Sequence, residues 1–268
     1  MRAIEATQFE DADKYASYLK TPAGRLRCDL TWENLRGFLP ANAPQRRVLD
    51  LGGGTGSMSV RLAKMGFQVV LLDSSEEMLA IAGKATEANR IAERISFRRA
   101  DACKLQELFE PESFDIVLCH NLLEYVAEPA TIVAKIARVL RKDGFASVLV
   151  RNRAGEVLKA AIKSRDWKLA KANLSSETVV DSLYGKPVRV FSPKDLRGIF
   201  AWAGLDVVAE YGVRVFFDYL DREDLASEEA QRLLLELELN VGAQPNFAAI
   251  ARYIQLVARR SRAQERER

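Results

Sequence analysis

Histidine is almost missing from this chain of 268 residues, which has one, His120. Its three cysteines, Cys28, Cys103 and Cys119, include no C-x-x-C pair, so neither a zinc site nor a disulfide scaffold is expected. No run of 18 apolar residues occurs, which leaves no candidate membrane helix. Met1-Arg2-Ala3-Ile4-Glu5 lacks the basic-then-apolar order of a signal peptide, so a soluble, cytoplasmic protein is expected. Strong charge of one sign is also missing. The 40 Lys and Arg against 37 Asp and Glu leave +3 overall, a balance that permits nucleic-acid binding without requiring it.

What the chain does have is a glycine loop after an apolar strand. Asp50-Leu51-Gly52-Gly53-Gly54-Thr55-Gly56 follows Arg47-Val48-Leu49, and such a run lets a backbone turn sharply and approach a ligand closely. A second apolar run, Gln68-Val69-Val70-Leu71-Leu72, stops at Asp73. An acid at the end of the second strand is placed to accept hydrogen bonds from ribose hydroxyls, so loop and acid together predict a nucleoside-cofactor site. Spacing narrows the cofactor. A dinucleotide fingerprint, G-x-G-x-x-G, seats a pyrophosphate on a helix N-terminus. Here glycines 52, 54 and 56 alternate behind the acid Asp50, which suits a cofactor with no phosphate and a cationic, amino-acid-bearing end.

Apolar periodicity predicts alternating strands and helices. A helical stripe from Leu26 to Leu39 is closed by Pro40; later helices stop at Gly66, Gly144 and Gly204. Strands are expected over 95–97, 114–120, 145–150, 207–215 and 253–257, besides the first two. Seven strands with crossover helices make a doubly wound, mostly parallel α/β sheet in a single domain over 1–258, whose ligand crevice lies at the strand C-termini. Residues 153–189 form a basic helical insert after the fifth strand: Arg153, Lys159, Lys163, Arg165, Lys168 and Lys171 outnumber Glu156 and Asp166 around Trp167. That mixture suits phosphate and an unstacked base, or else a solvated helix with Val157-Leu158 and Ala161-Ile162 as its apolar face. A helical insert over 216–246 carries Leu233-Leu234-Leu235 and Leu237, and the charged tail 259–268 is expected to be disordered.

The glycine loop resembles motif I of class I S-adenosylmethionine-dependent methyltransferases, with Asp73 matching their ribose-binding acid and Asp101 the acid set against the adenine amino group. The resemblance covers roughly residues 45–151. In that family 114–120 would be the fourth strand, with its end facing the transferred methyl. Four further stretches resemble the bacterial tRNA 5-carboxymethoxyuridine methyltransferases: Gly24-Arg25-Leu26-Arg27 with Trp32, His120-Asn121-Leu122-Leu123-Glu124-Tyr125-Val126, the run from Gly212 to Leu220, and Arg252-Tyr253-Ile254. This implies a methyl ester made on the carboxylate of a modified wobble uridine, with the tRNA anticodon region as partner. It also implies that Arg27 contacts the cofactor carboxylate, Gly52 and Gly53 its methionyl part, Asp73 the ribose, Asp101 and Ala102 the adenine, and His120 the methyl-transfer end. The chain departs from that subfamily at Arg151-Asn152-Arg153-Ala154-Gly155 and in its scattered basic residues. The Asn/Asp/Ser-Pro-Pro-aromatic signature of aminomethylating DNA enzymes and the Pro-Cys nucleophile of cytosine-C5 enzymes are both missing.

Two candidate catalytic residues keep alternatives. His120 could position the acceptor, act as its base, or merely cap the strand; a carboxylate, ionised at neutral pH, needs no base. Arg214, in a Val-Arg-Val-Phe-Phe stretch, needs an anion, either a substrate group or Asp218 or Glu210. O- or N-methylation of a small molecule, and cofactor binding without catalysis, are the other function classes. The sequence leaves the oligomeric state open.

Overall fold

The computed structural model of the protein describes residues 11–221 and 223–261; the opening residues read for a signal peptide and the tail residues 262–268 lie outside these. Strands β1 (Arg47–Leu51), β2 (Gln68–Asp73), β3 (Ile95–Arg99), β4 (Phe114–His120) and β5 (Leu140–Arg151) are followed by a small hairpin, β6 (Thr178–Val180) and β7 (Pro187–Arg189), and then by β8 (Leu205–Val213) and β9 (Tyr253–Arg260). Seven of them form one sheet in the order β3-β2-β1-β4-β5-β9-β8, with β9 alone running against the rest.

Side chains alternate between the two faces of this sheet, and each face is covered. Leu49, Leu51, Val70 and Leu72 pack with the helices Pro129–Val139 and Pro193–Trp202. Val48, Val69, Leu71 and Phe145 pack with Leu35, Leu62 and Ala82 of the helices Pro22–Arg36, Ser57–Lys64 and Glu76–Ala88. Parallel strands bring their C-termini to one edge, so Gly52, Asp73, His120 and Arg151 emerge together. The antiparallel β9 begins where its neighbour β5 ends, pairing Tyr253 with Arg151, and so adds Arg252 and Tyr253 to the same edge.

Several boundaries differ from the sequence expectations. The first stripe leaves the helix at Arg36, because Phe38 and Leu39 N–H donate to Leu35 and Arg36 carbonyls in tightened turns ahead of Pro40. Gly144 stops no helix. Leu140 already pairs with Phe114 in β5, and at Gly144 a Cβ would come within 2.6 Å of the Asp115 carbonyl. Arg214 stands just beyond β8 rather than within a strand, with φ of +63°, because the pairing of β8 with β9 ends at Val213–Tyr253. Arg259 and Arg260, assigned to a disordered tail, are strand residues paired with Asp206 and Leu205. In the 216–246 segment the helix Glu228–Gly242 turns Leu235 and Leu239 onto Leu30 and Val213, which is core packing, while Leu233 and Leu237 face outward.

That helix also buries Glu238, whose carboxylate accepts from the N–H groups of Val215, Phe216 and Phe217 at 2.6, 2.9 and 2.9 Å and so holds the turn after Arg214. Glu238→Ala strands three donors at once. Urea unfolding should show a loss of about 3 to 5 kcal/mol, the scale of removing one partner from a buried charged network.

Candidate active site

A cavity of about 390 Å³ opens at the C-terminal edge of the sheet. One end is built by the glycine loop. Gly54, at φ of +55°, donates its N–H to Asp73 Oδ2 at 2.9 Å, and Ser75 N–H donates to Asp73 Oδ1 at 2.9 Å. These bonds aim the carboxylate of Asp73 while leaving lone pairs on both oxygens. Burial still raises its pKa, the two N–H donors offsetting part of the effect. Asp101, after β3, borders the cavity too, its Oδ1 accepting from Cys103 N–H at 2.7 Å. Leu72, Met78, Ala100 and Ala102 give this end flat apolar walls.

Of the sequence-predicted cofactor residues, Arg27, Gly52, Gly54, Asp73, Asp101, Ala102 and His120 line the cavity. Asp50, Gly53 and Gly56 stand behind it. Asp50 is buried and accepts from Ser59 Oγ at 2.7 Å, tying the strand end to the following helix. Gly53 has no room for a side chain, since a Cβ would meet Leu71 at 2.8 Å and Asp50 at 2.9 Å. These three residues shape the loop from within.

The other end is polar and cationic. Arg27, buried on the helix Pro22–Arg36, donates to Asn121 Oδ1 at 2.9 Å and to Tyr15 OH at 3.0 Å, and among the described residues it meets no carboxylate. Desolvating a guanidinium without an anion is costly, so the cavity beside Arg27 favours a negatively charged group. Arg214 pairs with Asp218, one of the two partners foreseen; Glu210 pairs instead with Arg197. Arg151 lies under the cavity, bonded to Glu124, Glu156 and Asp181. Arg252 meets Glu156 at 2.6 Å. All four guanidiniums stand within 6 Å of the Tyr253 ring centre, at 5.7, 5.9, 5.7 and 5.9 Å for Arg27, Arg151, Arg214 and Arg252. Burial would push the Tyr253 phenol up, but the four cations outweigh it and hold it below the usual tyrosine range.

His120 ends β4. Its Nε2 lies 3.0 Å from Ser147 Oγ, and its buried Nδ1 has no hydrogen-bond partner among the described residues. Burial first, and then the neighbouring Arg27 charge, push its pKa down to about 3, so the ring is neutral at physiological pH. Sequence reasoning missed Tyr15, Tyr18 and Tyr184, which wall the cavity, and Asp181 beneath it. Tyr15 and Tyr18 stood three residues apart on one helical face, a spacing that could have marked them. Asp181 and Tyr184 sit in a short hairpin with no local signal.

The 153–189 segment divides. Lys159 sits in one turn of π-helix (Lys159–Lys163) at the cavity, its pKa lowered by burial and then by Arg252. Lys163 reaches Asp221. Of the apolar face foreseen there, Val157, Leu158 and Ala161 are half-buried with Ala160 buried beside them, while Ile162 is 53% exposed. Trp167 stands 76% exposed at the start of the helix Trp167–Asn173, beside Lys168 and Lys171.

Comparison with known proteins follows this geometry. Residues 49–148 match the family model described as a methyltransferase domain. The chain is 30% identical to the tRNA 5-carboxymethoxyuridine methyltransferase of Escherichia coli, across 98% of this chain and 100% of that one. It is 38% identical to a ubiquinone biosynthesis O-methyltransferase of Hahella chejuensis over 114 residues, 42% of this chain and 47% of that one. The structure of an S-adenosylmethionine dependent methyltransferase from Mesorhizobium loti superposes with a TM-score of 0.61 at 21% identity, covering 87% of this chain and all of that one.

Asp50 supplies a pH test of the loop. Its pKa is raised to about 6, chiefly by burial, with Ser59 opposing and Asp73 adding. The folded chain therefore keeps a proton that the unfolded chain, at roughly 3.9, releases, so stability falls as pH rises through this window. Asp50→Asn retains an oxygen for Ser59. At pH 7 the ligand-free variant should gain about 1 to 3 kcal/mol in urea unfolding, and the slope between about pH 4 and 6 should flatten.

Proposed function

The chain belongs to the class I S-adenosylmethionine-dependent methyltransferases, and on that premise we propose that it methylates the carboxylate of 5-carboxymethoxyuridine at the tRNA wobble position, giving a methyl ester. The observation that carries this reading is a neutral His120 beside a cationic cavity wall. The wall offers positive charge to an anion, while the neutral ring is left to hold it through a hydrogen bond alone. A carboxylate acceptor is already ionised at neutral pH and needs no base. The full-length likeness to the Escherichia coli tRNA enzyme supports the same acceptor, whereas the likeness to the ubiquinone enzyme spans less than half of this chain.

The cavity suits the cofactor. Asp73, aimed by two N–H groups, would take the ribose hydroxyls. Asp101 and Ala102 would meet the adenine between apolar walls, and the Gly52–Gly53 backbone the methionyl part. Arg27, which meets no carboxylate among the described residues, would take the carboxylate end. S-adenosylmethionine, when bound, supplies a methyl on a positively charged sulfur, a leaving group that needs no protonation. What is left for the protein is alignment. Arg214 would fork onto the acceptor carboxylate, giving up part of its hold on Asp218, and His120 would position it. Outside the cavity, the exposed Trp167 ring with Lys168 and Lys171 would stack an RNA base and meet backbone phosphates.

Two experiments test this. Purified protein given S-adenosylmethionine and tRNA bearing the free acid should convert it to the ester by nucleoside mass spectrometry. The single-turnover rate should show no titration near pH 6.5, and His120→Gln should keep most of it. A loss of two to four orders of magnitude on that substitution would move the acceptor to a hydroxyl or amine. Replacing Trp167, Lys168 and Lys171 by Ala should weaken tRNA binding and flatten its dependence on salt while cofactor affinity holds; unchanged RNA binding would make the patch a solvated face.

A further inference from the structure

His120 is one end of a hydrogen-bonded chain, buried at its centre, that crosses four elements. Asn34, on the helix Pro22–Arg36, donates its Nδ2 to Gln255 Oε1 at 3.0 Å. Gln255, fully buried in β9, turns its Nε2 to the Thr31 carbonyl at 3.1 Å and to Ser147 Oγ at 3.1 Å. Ser147, fully buried in β5, stands 3.0 Å from His120 Nε2.

The direction of each bond follows from what each atom can do. A backbone carbonyl only accepts, so the Gln255 atom facing Thr31 must be its amide nitrogen, and the Asn34 donor on the opposite oxygen agrees. Ser147 Oγ therefore accepts from Gln255. Its own proton has one acceptor among the described residues, His120 Nε2. If Nε2 carried the ring proton instead, the serine hydroxyl proton and the Nδ1 lone pair would both go without a partner among the described residues, whereas with the proton on Nδ1 only that N–H does, on a ring that lines the cavity where an acceptor can meet it.

We infer that Asn34, Gln255 and Ser147 are positioning residues that hold His120 as its Nδ1-protonated neutral tautomer, making the imidazole a hydrogen-bond donor and closing it to proton abstraction. Nε2, the nitrogen able to take a proton, faces Ser147, and Nδ1 already carries one. Among the described residues the charged side chain that acts on the ring is Arg27, which adds to burial in keeping it neutral. This rests on the carboxylate reading for its benefit to the reaction, because an acceptor with no proton to lose wants a donor beside it.

A chain with one histidine makes the test direct. Protein labelled with 15N-histidine and free of substrate should show a single neutral imidazole at pH 7, roughly 90% or more Nδ1–H, without titration down to pH 5. Ser147→Ala should shift the population toward an even mixture. Gln255→Glu puts an oxygen where the amide N–H stood, so Ser147 should turn its proton toward it, accept from Nε2–H and reverse the tautomer. An Nε2–H or doubly protonated ring in the wild type would overturn the inference, as would a tautomer indifferent to both substitutions. The spectrum needs no acceptor, so failure to methylate tRNA would sink the functional reading and leave this one standing.

Discussion

The buried guanidinium of Arg151 is the constraint on which the site depends. It ends β5 and meets Glu124 from the loop after β4, Glu156 from the next helix and Asp181 from the hairpin, at 3.3, 3.0 and 2.7 Å. Its backbone N–H also donates to Glu124 Oε1 at 2.7 Å. Burying one cation would be prohibitive alone, and three carboxylates overcompensate it. The excess is shared outward. Glu156 takes Arg252 as a second partner, and Glu124 accepts from Asn121, whose oxygen holds Arg27. Five chain segments far apart in sequence are thereby tied at the edge where the cavity opens, four of them by ion pairs and the Arg27 helix by its hydrogen bond to Asn121.

Around that network the cavity divides by chemistry. The glycine-loop end joins an acid aimed by backbone donors to apolar walls, a combination suited to a nucleoside. The opposite end gathers cations around Tyr253, whose ring lies among four guanidiniums and lessens their repulsion through its π face. His120 sits between, neutral because it is buried and already next to Arg27. An anionic acceptor and a cationic sulfur can be brought together there with little proton traffic.

Parts of this were legible in local sequence. The alternating strands and helices, the glycine loop, Asp73 and Asp101 follow from apolar periodicity and from short-range turn chemistry, which act over a few residues. Local signals failed where longer-range pairing overrode them. Gly144 reads as a helix stop but is needed small because β5 passes close to Asp115. Arg214 reads as a strand residue, but Glu238, 24 positions on, captures the three N–H groups that follow it and bends the chain there. The basic character of 153–189 suggested an RNA-binding insert or a solvated helix, and burial divided the segment between a cavity lysine and an exposed patch.

By itself the sequence determined the doubly wound α/β class, the nucleoside type of the cofactor and the acids that border the cavity, since each rests on residues adjacent along the chain. The protonation state of His120, the company around Tyr253 and the partner of Arg214 belong to tertiary structure alone. They are set by burial and by charges from segments that meet only when β9 inserts antiparallel beside β5, and no spacing along the chain encodes the distance between Arg27 and Arg252 or the hydroxyl that Ser147 turns toward an imidazole 27 residues before it.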